Sequence, residues 1–277
     1  MIDIVGYRRQ VEETVDFLRK KMPSPPETVI ILGTGLGSLV EALTDSQVIP
    51  YTDIPHFPVS TVASHEGNLV LGNLGRKSVA ILQGRVHCYE GYSAREVAMP
   101  VRVLSLLGCR TALVTNASGG LNPEYVPGTI MIFTDHLNLL NDNPLRGPNI
   151  DAWGPRFPDL SRPYDSTLVE IALQTAQKLR LDNVTTGTYV CIPGPSLETP
   201  AETRYLRQSG ADAVGMSSIP EILVALHGGL KVLGLSVIAN VNDPDNLQPI
   251  LMDDIVQAAA RTEPVLTGLI LEIIKRC

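Results

Sequence analysis

Clustered positive charge is missing from this chain. Its 22 Lys and Arg stand against 29 Asp and Glu, a formal net charge of −7, and no basic run stands out. Tight non-specific binding to nucleic acid or to an anionic membrane is thereby excluded. A single small anion can still bind, because that depends on local groups. Cysteine is scarce: Cys88, Cys109, Cys191 and Cys277 form no C-x-x-C pair, and a domain of this size does not need disulfide staples. The five histidines are scattered, so no zinc site is suggested. Aromatics are few, at 5%. No apolar stretch is long enough to span a bilayer and no apolar leader opens the chain, so the expected location is the cytoplasm.

What is present is ordinary for a globular protein: 44% hydrophobic and 18% charged residues over 277 positions. That length suits one large α/β domain, residues 1–277, better than two small ones. Ile4, Val11, Val15, Leu18 and Met22 recur at helical spacing, and Ser24-Pro25-Pro26 stops the helix. The β-branched run Thr28–Leu32 reads as a buried strand. An apolar helix-like stretch follows through Leu39, Val40 and Leu43. Further strands are expected at Asn68–Leu71, Ser78–Leu82, Thr111–Thr115, Thr129–Phe133, Thr185–Cys191 and Lys231–Ile238. Helices are expected at Ala94–Leu107, Ser166–Leu179, Ala201–Gln208, Pro220–His227 and Met252–Lys275. The alternation predicts a central mixed β-sheet flanked by helices. Between Asn138 and Tyr164 lies a long excursion rich in Asn, Pro, Gly and Asp, carrying Trp153 and Phe157. Loops of that length are usually functional.

Six segments carry candidate chemistry, and each also has a plainer reading. Gly33-Thr34-Gly35-Leu36-Gly37 follows a strand and can aim amides and a hydroxyl at an anion. It is not a dinucleotide fingerprint, because position 38 is Ser38 rather than glycine. A tight strand-to-helix turn would account for it equally. In Gln83–Gly91, Arg85, His87 and Tyr89 alternate and project to one side of an extended segment. Arg85 offers a fixed donor fork, His87 a ring that titrates near neutrality, and Tyr89 a flat face. A surface Arg and a packed Tyr on an edge would look the same. Thr115–Asn122 places small residues after a strand, either as a simple turn or where backbone amides meet a ligand. Gly194–Thr199 sets Glu198 in a stiff turn, as a reader of a donor edge or as an acid before a helix. Glu202 fits that second task better. In Val214–Glu221, Ser217 or Ser218 can cap a helix or share its N-terminus with an anion, and Met216 offers a soft apolar surface. Asn240 ends the last strand, either as a turn residue or as a group that donates and accepts at once.

Taken together and in this order, the segments G-T-G-L-G, S-T-V-A-S-H-E-G, Q-G-R-V-H-C-Y-E-G-Y, T-N-A-S-G-G-L-N, N-P-L-R-G-P-N, R-F-P-D-L-S, G-P-S-L-E-T-P-A-E and V-G-M-S-S-I-P-E resemble the trimeric class of purine nucleoside phosphorylases. The resemblance runs over nearly the whole chain. It implies a phosphorylase/hydrolase-like single domain working as a homotrimer. It also implies a reaction in purine salvage: phosphate and a purine nucleoside, ribo or deoxy, give free base and (deoxy)ribose 1-phosphate. Inorganic phosphate is then a co-substrate, and no organic cofactor or metal is implied. By matched position the phosphate contacts are Thr34, His65, Arg85, His87, the Ala117 backbone and Ser217. Tyr89 and Met216 match ribose contacts, and Phe157 matches an aromatic that closes a neighbouring subunit's sugar pocket. Glu198 and Asn240 match the readers of the base, Leu197 and Val214 stand beside them, and His87, Asn240 and Glu198 take the catalytic positions. An ionised Glu198 accepts from the N1–H of a 6-oxopurine and repels the N1 of adenine, which favours inosine and guanosine.

The chain departs from that pattern at several places. Ala239 and Val241 flank Asn240 where polar residues are frequent, and Leu197 stands where an aromatic often packs on the base. Met252 appears near a histidine that meets the ribose 5′-hydroxyl. Asn242–Pro249 matches poorly, and Asp243 could reach the base if the loop shifts. Met252 and Asp243 leave a 5′-methylthioadenosine phosphorylase as an alternative, against which Glu198 speaks. A non-catalytic nucleotide-binding module is the alternative of another class.

Overall fold

The Asp3 carboxylate accepts from the N–H of Gly6 and opens helix α1 (Ile4–Lys21), whose apolar face Val11, Val15 and Leu18 is buried. Strand β1 (Thr28–Leu32) is buried at every position, as expected of a strand covered on both faces. The computed structural model describes residues 3–22, 24–62 and 66–277. After a single 3₁₀ turn at Ser38–Ala42 come β2 (Thr44–Pro50), β3 (Asn68–Leu74) and β4 (Lys77–Gln83). The helical pair α2 (Ala94–Val97) and α3 (Met99–Leu107) leads to β5 (Thr111–Gly120) and β6 (Ile130–Asn138). The excursion then returns to α4 (Ser166–Lys178), β7 (Val184–Cys191), α5 (Pro200–Gln208), β8 (Ala213–Gly215), α6 (Ile219–His227), β9 (Lys231–Val241) and α7 (Met252–Ile274).

The strands form one nine-stranded mixed sheet in the order β2-β3-β4-β1-β5-β8-β7-β6-β9. β9 also pairs in parallel with β5 along its length, so β5, β8, β7, β6 and β9 close into a ring. Alternate side chains of β1 enter two cores. Val29 and Ile31 pack with α1, α3 and α6, while Ile30 and Leu32 pack with α4 and α7. A sheet covered on both faces leaves its strand ends as the places where loops can meet a ligand.

The structure changes several expectations. The stretch at Leu39–Leu43 is a short 3₁₀ turn followed by strand β2, not a helix. Thr115–Gly120 is not a turn but the second half of β5, because β9 supplies hydrogen bonds to its end. The expected helix at Ala94–Leu107 is broken at Ala98 into α2 and α3. Ser218 precedes α6, but its side chain does not cap that helix.

Candidate active site

The ends of six strands converge on one cavity of about 400 Å³. β1 delivers Gly33 and Thr34, β4 delivers Arg85, His87 and Tyr89, and β5 contributes Asn116 to Gly119. β7 leads to Leu197 and Glu198, β8 to Met216 and Ser217, and β9 to Asn240 and Asn242. Val62, Pro195, Val214, Gly215, Ile250, Met252 and Ile255 complete the wall. Gly33 makes this convergence sterically feasible: a Cβ there would lie 2.7 Å from the Asn116 Cα, inside any allowed contact. Thr34, Arg85, His87, Ala117, Ser217, Tyr89, Leu197, Glu198, Val214, Met216, Asn240 and Met252 therefore share one space. His65 lies outside the described residues. Phe157 is on the excursion, 84% exposed, and does not line this chain's cavity. Asp243 does not line it either; Asn242 does.

One end of the cavity is rich in donors. The Arg85 guanidinium is buried. Its Nη1 donates to Ser218 Oγ at 2.8 Å, and its Nη2 donates to the carbonyls of Thr115 and, at 3.4 Å, Ile31. Glu221, also buried, places Oε1 3.5 Å from Nη1. Burial pushes the Glu221 carboxyl up, against the opposing pull of Arg85. Ser218 sits at φ 74°, and Ile219 N–H donates to the Ser217 carbonyl at 2.9 Å. That combination is a strained, left-handed turn. It is held by Arg85 and by Asn116, whose Nδ2 donates to Ser218 Oγ at 2.8 Å. Ser236 Oγ in turn donates to Asn116 Oδ1 at 2.6 Å. The turn sets Ser217 at the cavity wall and leaves a buried positive group beneath it.

His87 is held by Glu90, whose Oε1 accepts from the backbone N–H of His87 at 2.8 Å and lies 2.8 Å from its Nδ1. The ring stacks on Tyr89 with centroids 4.6 Å apart. Burial pushes His87 down to about 4, against the upward pull of Glu90 and with a further lowering from Arg85. Burial alone would raise Glu90, but the N–H and hydroxyl of Thr61 and the His87 ring outweigh it and hold its carboxyl below the usual range. A neutral ring whose Nδ1 faces a carboxylate keeps its proton there, which makes Nε2 the basic nitrogen. Such a ring can accept a hydrogen bond from the O–H of a partly protonated oxyanion.

The other end is apolar with a few polar groups, as ligand pockets usually are. Leu197, Val214 and Met216 provide its surface. Asn240 Nδ2 donates to Asn242 Oδ1 at 2.6 Å, and Asn242 Nδ2 donates to Glu198 Oε2 at 3.1 Å. Burial raises Glu198, while its backbone N–H and Asn242 act the other way. Glu202, not Glu198, forms the capping box of α5 with Thr199. Among the described residues no group of three or more His, Cys, Asp or Glu is placed to hold a metal ion. No described helix is long and apolar enough to cross a membrane.

Sequence reasoning missed Glu90, Asn116, Glu221 and Asn242. Glu90 and Asn116 lie inside motifs already singled out, three residues from His87 and one from Ala117. Nothing in the local sequence marks Glu221 or Asn242 as partners of Arg85 and Glu198.

This arrangement defines an α/β protein with one strand-end cavity, donor-rich at the Arg85 end and mostly apolar at the end that carries Glu198 and Asn240. A family model described as the phosphorylase superfamily matches residues 27–275, and the chain belongs to that superfamily. It is 46% identical to purine nucleoside phosphorylase 1 of Bacillus subtilis over 259 residues, 94% of each chain. The fold superposes on Schistosoma mansoni purine nucleoside phosphorylase in complex with inosine with a TM-score of 0.91. That match has 37% identity and covers 97% of this chain and 96% of the other. A complex of the Schistosoma mansoni enzyme with adenosine gives a TM-score of 0.91 at 38% identity, covering 97% of both chains.

Proposed function

We propose that phosphate binds at the Arg85 end of the cavity and a purine nucleoside at the Glu198 end, with the glycosidic bond between them. The chain is an enzyme of purine nucleoside phosphorolysis. The observation that carries the assignment of roles is the convergence of Thr34, Arg85, His87 and Ser217 on the cavity that also holds Glu198 and Asn240.

In this reading the amides near Thr34 and Ala117, the Ser217 hydroxyl and the Arg85 charge hold phosphate under the anomeric carbon. Two reactants held in one orientation meet as a unimolecular pair. Neutral His87 accepts a hydrogen bond from the phosphate O–H, which orients the phosphate with its negative charge towards the sugar. That charge stabilises the cation-like sugar as the bond lengthens and then attacks it. Tyr89 and Met216 pack on the sugar, with Met252 at its 5′ end. The departing base gathers negative charge at N7 and O6, where an N–H of Asn240 stabilises it increasingly toward the transition state. Glu198, whose anion Asn242 favours against the opposing effect of burial, accepts from N1–H. Adenine N1 has no hydrogen to offer, so inosine and guanosine, with their deoxy forms, are the preferred substrates.

Phe157, exposed on its loop, completes the sugar pocket of a neighbouring copy in a homotrimer. Metal ions and organic cofactors have no part in this scheme. A cytoplasmic enzyme of purine salvage fits the reaction. The test is hypoxanthine release from inosine with and without phosphate. Release only with phosphate supports the assignment, and equal release without it would point to hydrolysis by water.

A further inference from the structure

Asn242 lies one residue beyond β9, 1% exposed, on the cavity wall between Asn240 and Glu198. The two ends of its amide serve in opposite senses. Oδ1 accepts from Asn240 Nδ2 at 2.6 Å, and Nδ2 donates to Glu198 Oε2 at 3.1 Å. Its backbone is fixed as well: the N–H donates to the Gly120 carbonyl at 2.8 Å, and the carbonyl accepts from Arg207 Nη2 at 2.9 Å. Gly119 leaves room for the pair, since a Cβ there would lie 3.2 Å from Asn242 Nδ2 and 3.7 Å from Asn240 Oδ1.

We propose that Asn242 is a specificity-determining residue: by bridging Asn240 and Glu198 it fixes the donor and acceptor pattern that both present to the base. The proposal rests on the reading of this cavity as a nucleoside site. An ionised carboxylate only accepts, whereas a carboxamide has a sense. Turning the Asn242 amide over would set its oxygen against the Glu198 carboxylate and its NH₂ against that of Asn240. The sense is thereby locked. Asn240 keeps its Oδ1 and one N–H for the base. Glu198 keeps an acceptor, stabilised as an anion by a donor that is out of reach of solvent. Three groups face Glu198: Asn242 and its own backbone N–H favour the anion, and Glu202 of α5 opposes it.

The test compares kcat/KM for inosine and adenosine at saturating phosphate in the wild type, Asn242→Asp, Glu198→Gln and the double variant. Aspartate has the size of asparagine and still accepts from Asn240, but it has no N–H for Glu198, and as an anion it repels the Glu198 carboxylate. The inosine-to-adenosine ratio should fall about tenfold or more in Asn242→Asp, the scale of a hydrogen bond to a charged group. In the Glu198→Gln background the same change should alter the ratio less than about threefold, because coupled residues are not additive. A loss of packing alone would lower both substrates together and leave the ratio unchanged. Should the aspartate fail to fold, Asn242→Ala gives the same readout. An inosine-preferring wild type with an unchanged ratio in these variants overturns the bridge and leaves the function intact. A wild type that cleaves neither nucleoside with phosphate overturns the functional reading and the bridge with it.

Discussion

One oxygen of Glu90 lies 2.8 Å from the backbone nitrogen of His87 and 2.8 Å from its ring Nδ1. The other accepts from the N–H of Thr61 at 2.6 Å and from its hydroxyl at 2.7 Å. A single carboxylate thus orients the imidazole and anchors the chain at Thr61.

Glu90→Gln removes the charge from that contact but keeps its shape. A hydrogen bond to a charged group contributes about 1.5–3 kcal/mol, so kcat/KM for phosphate should fall about 10- to 100-fold, while the preference between nucleosides stays put. Initial rates with phosphate varied at fixed inosine measure this. Unchanged phosphate kinetics would remove Glu90 from the positioning of His87.

Arg85→Ala should weaken phosphate use and also destabilise the fold. Glu221, 2% exposed and 3.5 Å from Nη1, would be left as a buried charge without its partner, at a cost of about 3–5 kcal/mol. The pair Arg85→Met with Glu221→Gln should recover much of that stability and none of the phosphate dependence. Denaturant melts and phosphate titrations separate the two effects. A double variant that regains phosphate use would show that Arg85 acts only through the fold.

Acid should weaken the fold through its buried histidines, His87 and His227 foremost. His87 and His227 each have a folded-state pKa of about 4, lowered chiefly by burial, against about 6.5 for a free imidazole. As pH falls from about 6.5 towards 4 the unfolded chain takes up these protons first, so stability drops across that window and is fully present above it. His227 Nδ1 accepts from Arg102 Nη2 at 2.8 Å, so protonation sets like charges together. Buried Glu198 and Glu221, with raised carboxyl pKa values, act in the opposite sense. Comparing Tm at pH 7 and pH 4.5 in the wild type and in His227→Asn isolates the histidine: the variant should lose less. An equal loss in both would exclude His227 as a contributor.

Phe157→Ala should leave Tm nearly unchanged, since the ring is 84% exposed in the isolated chain. It should lower kcat/KM for inosine by about 10- to 100-fold if the ring closes a neighbour's pocket, given about 1.5–3 kcal/mol for burying such a side chain. Mixed assemblies of Phe157→Ala with His87→Ala chains should recover part of the activity, because some pockets would then carry both intact residues. No recovery in mixtures whose subunits have exchanged would place Phe157 outside the site.

Legibility in the sequence followed burial and locality. Thr28–Leu32 was readable to the residue because both faces of β1 are buried and the run is uniformly apolar. β2 was not, since Thr-Asp-Ser-Gln-Val-Ile-Pro is exposed at all but one position and edge strands lack a hydrophobic face to pattern. β8 spans only three residues, too few for any period. Asn116 to Gly120 carry poor strand formers, and β9 overrides that local preference by pairing along them. Arg85, His87 and Glu198 were legible because each stands in a short motif after a strand. Glu221 and Asn242 were not, because each matters through a partner 136 and 44 positions away in the chain, respectively.

By itself the amino-acid sequence determined the alternation of strands and helices, the strand-end loops and the residue types placed on them. Those depend on hydrophobic period and turn chemistry, which act over a few neighbouring residues. Only the tertiary structure decided that β5 and β9 pair to close a ring, that Ser218 is held in a left-handed turn by Arg85 and Asn116, and that Asn242 joins Asn240 to Glu198. Buried polar groups must find partners wherever the chain brings them, and sequence spacing does not encode which distant group that will be.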